Sequence, residues 1–348
     1  MHQQLIRRSL VWFAVVFSAI TAGTIFYYNF SKVSIDPETR IFSERIRETP
    51  FRFSIYGTSH TGEVWATSNN ILNLITKDGE SANQVHVFED LIRGIHVMEN
   101  GFLVVSTDND HWSEAEPSRV FLSRDNGGHF TEILRLEAGS ALWWSIASDN
   151  QGTLFIGEYG PKGPGESNRV WRSRDFGDSW KIVYQAPVED NIHIHRVAVD
   201  PYTQHIWITF GDGPRGTLVS TNGGDEWELV REEQSTAVAF TPDYIFWGED
   251  RKEGKVTRWS RASEKFDLIF EARKEGAYGG SCYNIAYSEN EILVPFLKYP
   301  DQDHMASLWS YNNHTWTLLM TLGTQGGFLS IGGPDVQGRF YVGKWIVD

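Results

Sequence analysis

Cysteine is almost absent from this chain of 348 residues, which contains only Cys282. A single cysteine excludes an intramolecular disulfide, and we interpret this thiol, beside Tyr283, as a packed small side chain rather than a nucleophile. Basic residues are also few, because 31 Lys and Arg stand against 45 Asp and Glu, for a formal net charge of -14. Phosphate recognition needs clustered Lys and Arg, so the composition excludes a nucleic-acid-binding protein.

Only one apolar run is long enough to cross a bilayer as a helix. It covers residues 9–31 without a charged side chain, and Arg7 and Arg8 precede it. The positive-inside rule then predicts a cytoplasmic N-terminus and an extracytoplasmic remainder. The alternative is a cleaved signal peptide with its cleavage region at residues 19–23. The apolar run continues through Tyr28, which favours an uncleaved anchor.

Three copies of a short motif predict the fold. Each reads Ser-x-Asp/Asn-x-Gly-x-x-aromatic, and the copies begin at Ser123, Ser173 and Ser220. Asp and Asn side chains bond nearby backbone amides and Gly adopts positive φ, so each copy is predicted to be a turn between two strands. The interval of about 50 residues is typical of one four-stranded propeller blade. Weaker copies extend the series to six turn sites: Thr76–Gly79, Ser260–Phe266 and Ser310–Trp316.

The predicted fold class is all-β, a single β-propeller of four-stranded antiparallel blades after an N-terminal transmembrane helix. Seven predicted inner strand pairs favour seven blades, with six as the alternative. In the seven-bladed form, residues 40–47 complete the last blade and leave no open sheet edge. The predicted organisation is a cytoplasmic N-terminus (1–8), a signal-anchor helix (9–31), a linker containing the closing strand (32–50) and the propeller (51–348).

The motif Ser-x-Asp-x-Gly-x-x-Trp resembles the Asp-box of the BNR-repeat superfamily, which contains sialidases and many non-catalytic β-propellers. The resemblance implies a propeller over nearly all of the chain beyond residue 50, with the box as a structural turn. A sialidase-like site would need three arginines around a substrate carboxylate, a Tyr nucleophile paired with Glu, and an Asp acid. The matching candidates are Arg52, Arg215 and Arg251, with Tyr278 or Tyr283. The sequence around Arg52 lacks the Pro of the family's Arg-Ile-Pro motif, which argues against a classical sialidase.

The blade topology predicts the face on which a ligand binds. The motif turns join third and fourth strands, so they share a face with the turns between first and second strands, and the longer loops gather on the opposite face. There, His193 and His195 present two imidazoles from one predicted strand. Such a pair either binds a metal, serves as acid and base, or fills the channel wall, and we favour the last.

The candidate residues therefore come from the rim opposite the motif turns. The catalytic candidates are His193, His195, Tyr159, Arg251, Glu158 and Asp212. The substrate-binding candidates are Arg52, Asp108, Asp110, His111, Arg215, Lys298, Lys344 and Trp345. The alternate carboxylates of Asp108 and Asp110 suit a hard cation, but a solvated acidic loop is the favoured interpretation. No resident metal and no cofactor are predicted.

Two functions from different classes fit these residues. The first is a membrane-anchored extracytoplasmic propeller that binds a glycan or polysaccharide. Whether it also cleaves the ligand is left open. The two enzymatic forms are a glycoside hydrolase using paired carboxylates such as Glu158 and Asp212, and a polysaccharide lyase using His and Tyr with a charge-neutralising Arg or Lys. The alternative is a non-catalytic scaffold or assembly factor that binds a protein partner, such as a membrane protein. A converging pocket favours the first function, and a flat face with exposed aromatics favours the second.

Overall fold

The computed structural model describes residues 46–48, 56–59, 61–109, 117–160, 168–187, 193–211, 216–288, 291–299, 303–321 and 326–347. Its first strand is β1 (Ile46–Glu48). The predicted anchor and most of the predicted linker lie outside these residues. Within the described ranges, no helix has both the length and the apolar character needed to span a membrane.

Among the described residues, six sheets are four-stranded and antiparallel, and each is built from four consecutive strands with the first strand innermost. Blade 1 contains β2 (Tyr56–Thr58), β3 (Val64–Ser68), β4 (Ile71–Ile75) and β5 (Ala82–Val87). Blade 2 contains β6 (Leu91–Val97), β7 (Leu103–Asp108), β8 (Arg119–Ser123) and β9 (Thr131–Arg135). Blade 3 contains β10 (Ile146–Ser148), β11 (Leu154–Gly157), β12 (Arg169–Ser173) and β13 (Lys181–Gln185).

The remaining blades repeat this order. Blade 4 contains β14 (His193–Val199), β15 (Ile206–Gly211), β16 (Thr217–Ser220) and β17 (Glu228–Arg231). Blade 5 contains β18 (Ser235–Phe240), β19 (Tyr244–Glu249), β20 (Lys255–Ser260) and β21 (Lys265–Glu271), followed by a short 3-10 helix (Ala272–Glu275). Blade 6 contains β22 (Ala286–Ser288), β23 (Glu291–Phe296), β24 (Ser307–Asn312) and β25 (Thr315–Thr321).

A smaller sheet lies between blades 6 and 1. It contains β26 (Gly326–Gly332) and β27 (Phe340–Val347), with β1 on the outer side of β27. β1 runs parallel to β27, and only three residue pairs join them. The prediction of seven four-stranded antiparallel blades is therefore wrong: six such blades are present among the described residues, because β27 gains one short parallel partner instead of two antiparallel strands. Of the predicted closing segment 40–47, residues 40–45 lie outside the described part.

The core lies between neighbouring blades. The second strand of a blade is buried on both faces, as in β7 and β15, where every residue is buried. Between blades 3 and 4, Phe155, Ile194 and Phe210 pack together with no exposed surface. Each such side chain contributes about 1.5–3 kcal/mol on burial. The apolar contacts therefore stack the blades face to face and hold the inner strands in place around the channel.

Each motif turn is closed by hydrogen bonds from its own side chains. Ser173 Oγ donates to Asp175 Oδ1 at 2.7 Å and accepts the N–H of Gly177 at 2.7 Å. Asp175 Oδ1 also accepts the N–H of Ser179 at 2.9 Å. Gly177 has a φ of 93°, which side chains rarely adopt. The same bonds form in the turns that begin at Ser123 and Ser220.

The aromatic residue that ends each motif links one blade to the previous one. Trp180 donates its indole N–H to Ile133 O at 2.7 Å, and Trp227 donates to Val183 O at 3.0 Å. Trp316, in a weaker copy, donates to Ile269 O at 3.1 Å. The motif therefore shapes a turn and fastens neighbouring blades, on the face away from the predicted site.

Candidate functional site

The two histidines of β14 are placed by a β-bulge and by a glycine on the facing strand. His193 pairs with Gly211, Ile194 pairs with Phe210 and Arg196 pairs with Thr209, so His195 is the extra residue of the bulge. A Cβ on Gly211 would lie 1.8 Å from Cε1 of His195. Glycine at this position therefore creates the space that the His195 imidazole fills.

Three rings are stacked at this mouth of the channel. Tyr159 lies 4.4 Å from His193 between ring centroids, at an interplanar angle of 16°, and 6.0 Å from His195 at 14°. The two imidazoles are 6.4 Å apart and tilted by only 5°. A backbone bridge between Tyr159 and Ser140 holds the tyrosine in place. We call His193, Tyr159 and His195 the ring stack.

Two further aromatic side chains extend the ring stack. The Trp144 ring is 6.1 Å from Tyr159 and 5.1 Å from Tyr283. The Tyr283 hydroxyl is hydrogen-bonded to that of Tyr299. Burial, reinforced by nearby Asp250, raises the pKa of Tyr283 far above its ordinary value, so this phenol remains neutral. Trp144 and Tyr283 therefore add two uncharged rings with polar edges to the mouth.

A carboxylate completes the cluster. Asp250 follows β19, and its Oδ2 lies 3.8 Å from Nδ1 of His195. This distance is too long for a direct hydrogen bond between the two atoms. The Asp250 side chain is 22% exposed, whereas that of His195 is 5% exposed. The solvent side of the site is therefore formed by Asp250, with His195 behind it.

Glu158, a predicted catalytic residue, is held in a buried ion pair. Arg169 donates to it through Nε at 2.7 Å and Nη2 at 3.1 Å, and the Glu158 side chain has no exposed surface. Burial raises the pKa of Glu158 above its ordinary value, although Arg169 acts in the opposite direction. Arg169 also donates to Glu137 at 2.8 Å, near the end of blade 2. Arg169 therefore ties blade 3 to its neighbour, and Glu158 holds this guanidinium in place.

Asp108, at the end of β7, also accepts hydrogen bonds from neighbouring side chains. It accepts from Arg93 Nε at 2.6 Å, from Ser118 Oγ at 3.0 Å and from Ser140 Oγ at 2.8 Å. Ser140 belongs to the segment that leads into blade 3. Both predicted carboxylates at the ends of second strands therefore have protein donors around them.

The other predicted residues lie elsewhere on the rim, in the three-stranded sheet, or outside the described part. Arg251 is exposed on the rim. Lys298 is buried, and its backbone bridges to Gly327 in the three-stranded sheet. Lys344 and Trp345 lie on β27, where their backbones pair with β26. Outside the described residues lie Arg52, Asp110, His111, Asp212 and Arg215. Within the described ranges, no group of three or more His, Cys, Asp or Glu is arranged to hold a metal ion.

The structure thus brings together His193, His195 and Tyr159 from the predicted set. Tyr283, a candidate nucleophile of the sialidase-like site, lies beside them, and Trp144, Asp250 and Tyr299 join them from outside the candidate residues. The signal that pointed to Trp144 is the doublet Trp143-Trp144 at the inner edge of a blade, where large rings face the channel.

Comparisons with known proteins agree with the propeller architecture. No protein-family model matches the chain, and no curated protein matches it. Similar solved structures include a GH74 enzyme of Niastella koreensis, with 14% identity and a TM-score of 0.58, covering 77% of this chain and 47% of that chain. They also include a GH74 xyloglucanase from Xanthomonas campestris, with 13% identity and a TM-score of 0.59, covering 79% and 46%. YCF48 bound to D1 peptide has 14% identity and a TM-score of 0.57, covering 87% and 96%.

The chain therefore spans about half the length of the GH74 structures and nearly all of YCF48. At these identities the likeness shows the fold alone. The protein belongs structurally to the β-propellers, a class that includes glycan-active enzymes and a protein that binds a peptide.

Proposed function

We propose that this protein is a glycan-binding propeller that holds its ligand at the channel mouth formed by the ring stack. The observation that carries the proposal is the set of near-parallel rings of His193, Tyr159 and His195, with Asp250 beside them. Flat apolar ring faces pack against the C–H faces of sugars, and the hydroxyl and carboxylate edges bond sugar hydroxyls. Tyr159 and Asp250 are partly exposed, so they contact the ligand, and the buried histidines position them.

Cleavage through paired carboxylates fits this geometry poorly. A glycoside hydrolase needs two carboxyl groups on either side of the scissile bond. Both oxygens of Glu158 are bound by Arg169 in a buried site. His195 with Asp250 is the pair able to hold and release a proton here, which is the chemistry of a lyase. We therefore propose glycan binding as the function. If the protein also cleaves its glycan, the geometry favours a lyase over a glycoside hydrolase.

The proposal also includes a position in the cell and a family. Residues 9–31 anchor the chain, with the propeller outside the cytoplasm, where envelope polysaccharides are accessible. The closed Ser-x-Asp/Asn turns support assigning the chain to the Asp-box superfamily.

A second candidate function is the binding of a protein segment. It is favoured by the match to YCF48, a structure that contains a D1 peptide and of which this chain covers 96%. The described surface gives it little support, since the large exposed apolar side chains are dispersed. Val87, Ile182, Leu229 and Leu268 lie on the outer strands of four different blades. A protein-binding face would instead be expected to show a contiguous apolar patch.

The test is a panel of neutral and acidic polysaccharides in affinity electrophoresis, with release of reducing ends and of unsaturated products measured in parallel. We expect Tyr159→Ala to weaken retardation about tenfold, because a stacked ring contributes roughly 1–2 kcal/mol. His205→Gln, at the opposite end of blade 4, is a control variant and is expected to bind like the wild type. Absence of retardation by every polysaccharide, combined with capture of a peptide at the ring stack, would replace this proposal with the second candidate.

A further inference from the structure

A separate cavity of about 680 Å³ opens on the other face of the propeller. Its rim is formed by the β2–β3 and β26–β27 connections, which join first to second strands and therefore lie on the side of the motif turns. Thr61 and Val336 at this rim are exposed, so the cavity communicates with solvent. Its volume is within the range of small-molecule sites.

An arginine without an anionic partner lines this cavity. Arg196 donates through Nε to Thr236 O at 2.6 Å and through Nη2 to Tyr283 O at 3.0 Å. Neither acceptor carries a charge, and no carboxylate of the described residues lies within ion-pair distance of the guanidinium. Nη1 has no hydrogen-bond partner among the described residues. Burial lowers the pKa of Arg196 to about 10, so the side chain still carries its charge at neutral pH.

The remaining ionisable groups around the cavity do not compensate this charge. Asp335 accepts from Arg339 Nε at 2.7 Å and from Tyr341 Oη at 2.7 Å, so its charge is already balanced. Burial raises the pKa of Tyr287 to about 12, which keeps that phenol neutral. The cavity therefore presents one net positive charge from Arg196. The Arg196 side chain is half-buried, so its uncompensated charge carries a desolvation cost that a bound anion reduces.

The charge and the walls together define the ligand. One free guanidinium edge matches a monoanionic carboxylate, whereas a phosphate dianion would leave one negative charge unbalanced. Trp143, Tyr56 and Tyr287 supply ring surfaces on the walls. We infer that this cavity binds a small ring compound carrying one carboxylate, either a sugar acid or an aromatic acid, through Nη1 of Arg196. The inference does not depend on the proposed glycan site, because the two lie at opposite mouths of the channel.

The test is calorimetric titration of the full chain with galacturonate and with 4-hydroxybenzoate. The methyl ester of each acid serves as its neutral counterpart, and inorganic phosphate is titrated separately. We expect the acids to bind about tenfold or more tightly than their esters, since a hydrogen bond to a charged group contributes roughly 1.5–3 kcal/mol. Which acid binds better identifies the ligand as a sugar acid or an aromatic acid.

Three variants locate the binding. Arg196→Met removes the cation and is expected to weaken acid binding about tenfold or more. Thr61→Trp narrows the exposed entrance without touching Arg196, so it keeps the test valid if Arg196→Met fails to fold. Arg258→Met, on β20, is the matched control, because this arginine lies beside Asp267 on the outer strands.

Two results overturn the inference: equal affinity for acid and ester, or acid binding that survives both Arg196→Met and Thr61→Trp. Tighter binding of phosphate than of either acid overturns it as well. Tyr159→Ala, which tests the glycan site, is expected to leave acid binding unchanged, so the failure of one proposal is distinguishable from the failure of the other.

Discussion

Replacing Glu158 with alanine tests whether this carboxylate stabilises the fold or acts on a ligand. The substitution leaves the Arg169 guanidinium, whose side chain is 5% exposed, with Glu137 as its remaining carboxylate partner. Breaking a buried pair by removing one partner typically costs about 3–5 kcal/mol. That is a large fraction of the roughly 5–15 kcal/mol by which folded domains are stable. We therefore expect a large fall in the urea midpoint of Glu158→Ala.

A surface pair of similar length gives the matched control. Arg273 lies 2.7 Å from Asp303, but the two side chains are 38% and 81% exposed. Solvent screens such a pair, so Asp303→Ala is expected to cost about 0–1 kcal/mol. The comparison isolates burial, because the N–O distances are the same as for Arg169 and Glu158.

The assay is urea unfolding followed by tryptophan fluorescence, with the slope of the transition compared between variants. The double variant Glu158→Leu with Arg169→Met is expected to recover most of the lost stability, because apolar replacement of a whole buried pair is often neutral or stabilising. If Glu158→Ala unfolds within about 1 kcal/mol of the wild type yet loses ligand binding, our assignment of Glu158 to the blade contact is refuted.

Three further predictions concern other parts of the molecule. Gly211→Ala is expected to displace the His195 ring, to cost about 1–3 kcal/mol of stability by overpacking, and to weaken glycan retardation in the same electrophoresis. Ser173→Ala leaves a buried N–H without its acceptor and is expected to lower the free energy of unfolding by about 1–3 kcal/mol. Ser260 belongs to a weaker copy of the motif and accepts only a 3.3 Å hydrogen bond, so Ser260→Ala is expected to lower the free energy of unfolding by less. Burial lowers the pKa of His96 to about 4, below its ordinary 6.5, so the stability from neutral His96 is present above pH 6.5 and is lost as the pH falls towards 4. His96→Gln is expected to flatten this part of the pH profile of the thermal midpoint.

The blades were predictable because the sequence signals that specify them lie between residues close together in the chain. The motif turns close through bonds between residues two to four positions apart, as in Ser173 and Asp175, so a short window of sequence is sufficient. The strand predicted to carry His193 and His195 is confirmed as β14 (His193–Val199), although a β-bulge at His195 interrupts its alternation. The number of four-stranded blades was predicted less well, because it depends on which segment pairs with β27, and that pairing joins residues near opposite ends of the chain.

Contacts between blades were not predictable from the same signals. Glu158 meets Arg169 across a hairpin, and Arg169 meets Glu137 from the preceding blade, with no periodicity linking them. The sequence from Trp143 to Ala147 predicts the inner strand of blade 3, but β10 begins only at Ile146. Ser145 explains the difference, since its N–H donates to Leu142 O at 2.8 Å and its hydroxyl accepts the Leu142 N–H at 3.1 Å. This turn competes with the strand ladder and directs Trp144 to the ring stack.

The indole links at the outer edge have a consequence for how such a ring can change in size. A blade that carries the tryptophan also offers, on its own fourth strand, the carbonyl that the following tryptophan needs, as blade 3 does with Trp180 and Val183. One repeat therefore contains both an indole N–H donor and a carbonyl acceptor for the next indole. Duplication or loss of such a repeat between two like it would leave no indole N–H unsatisfied. These hydrogen bonds therefore place no limit on the number of repeats in the ring.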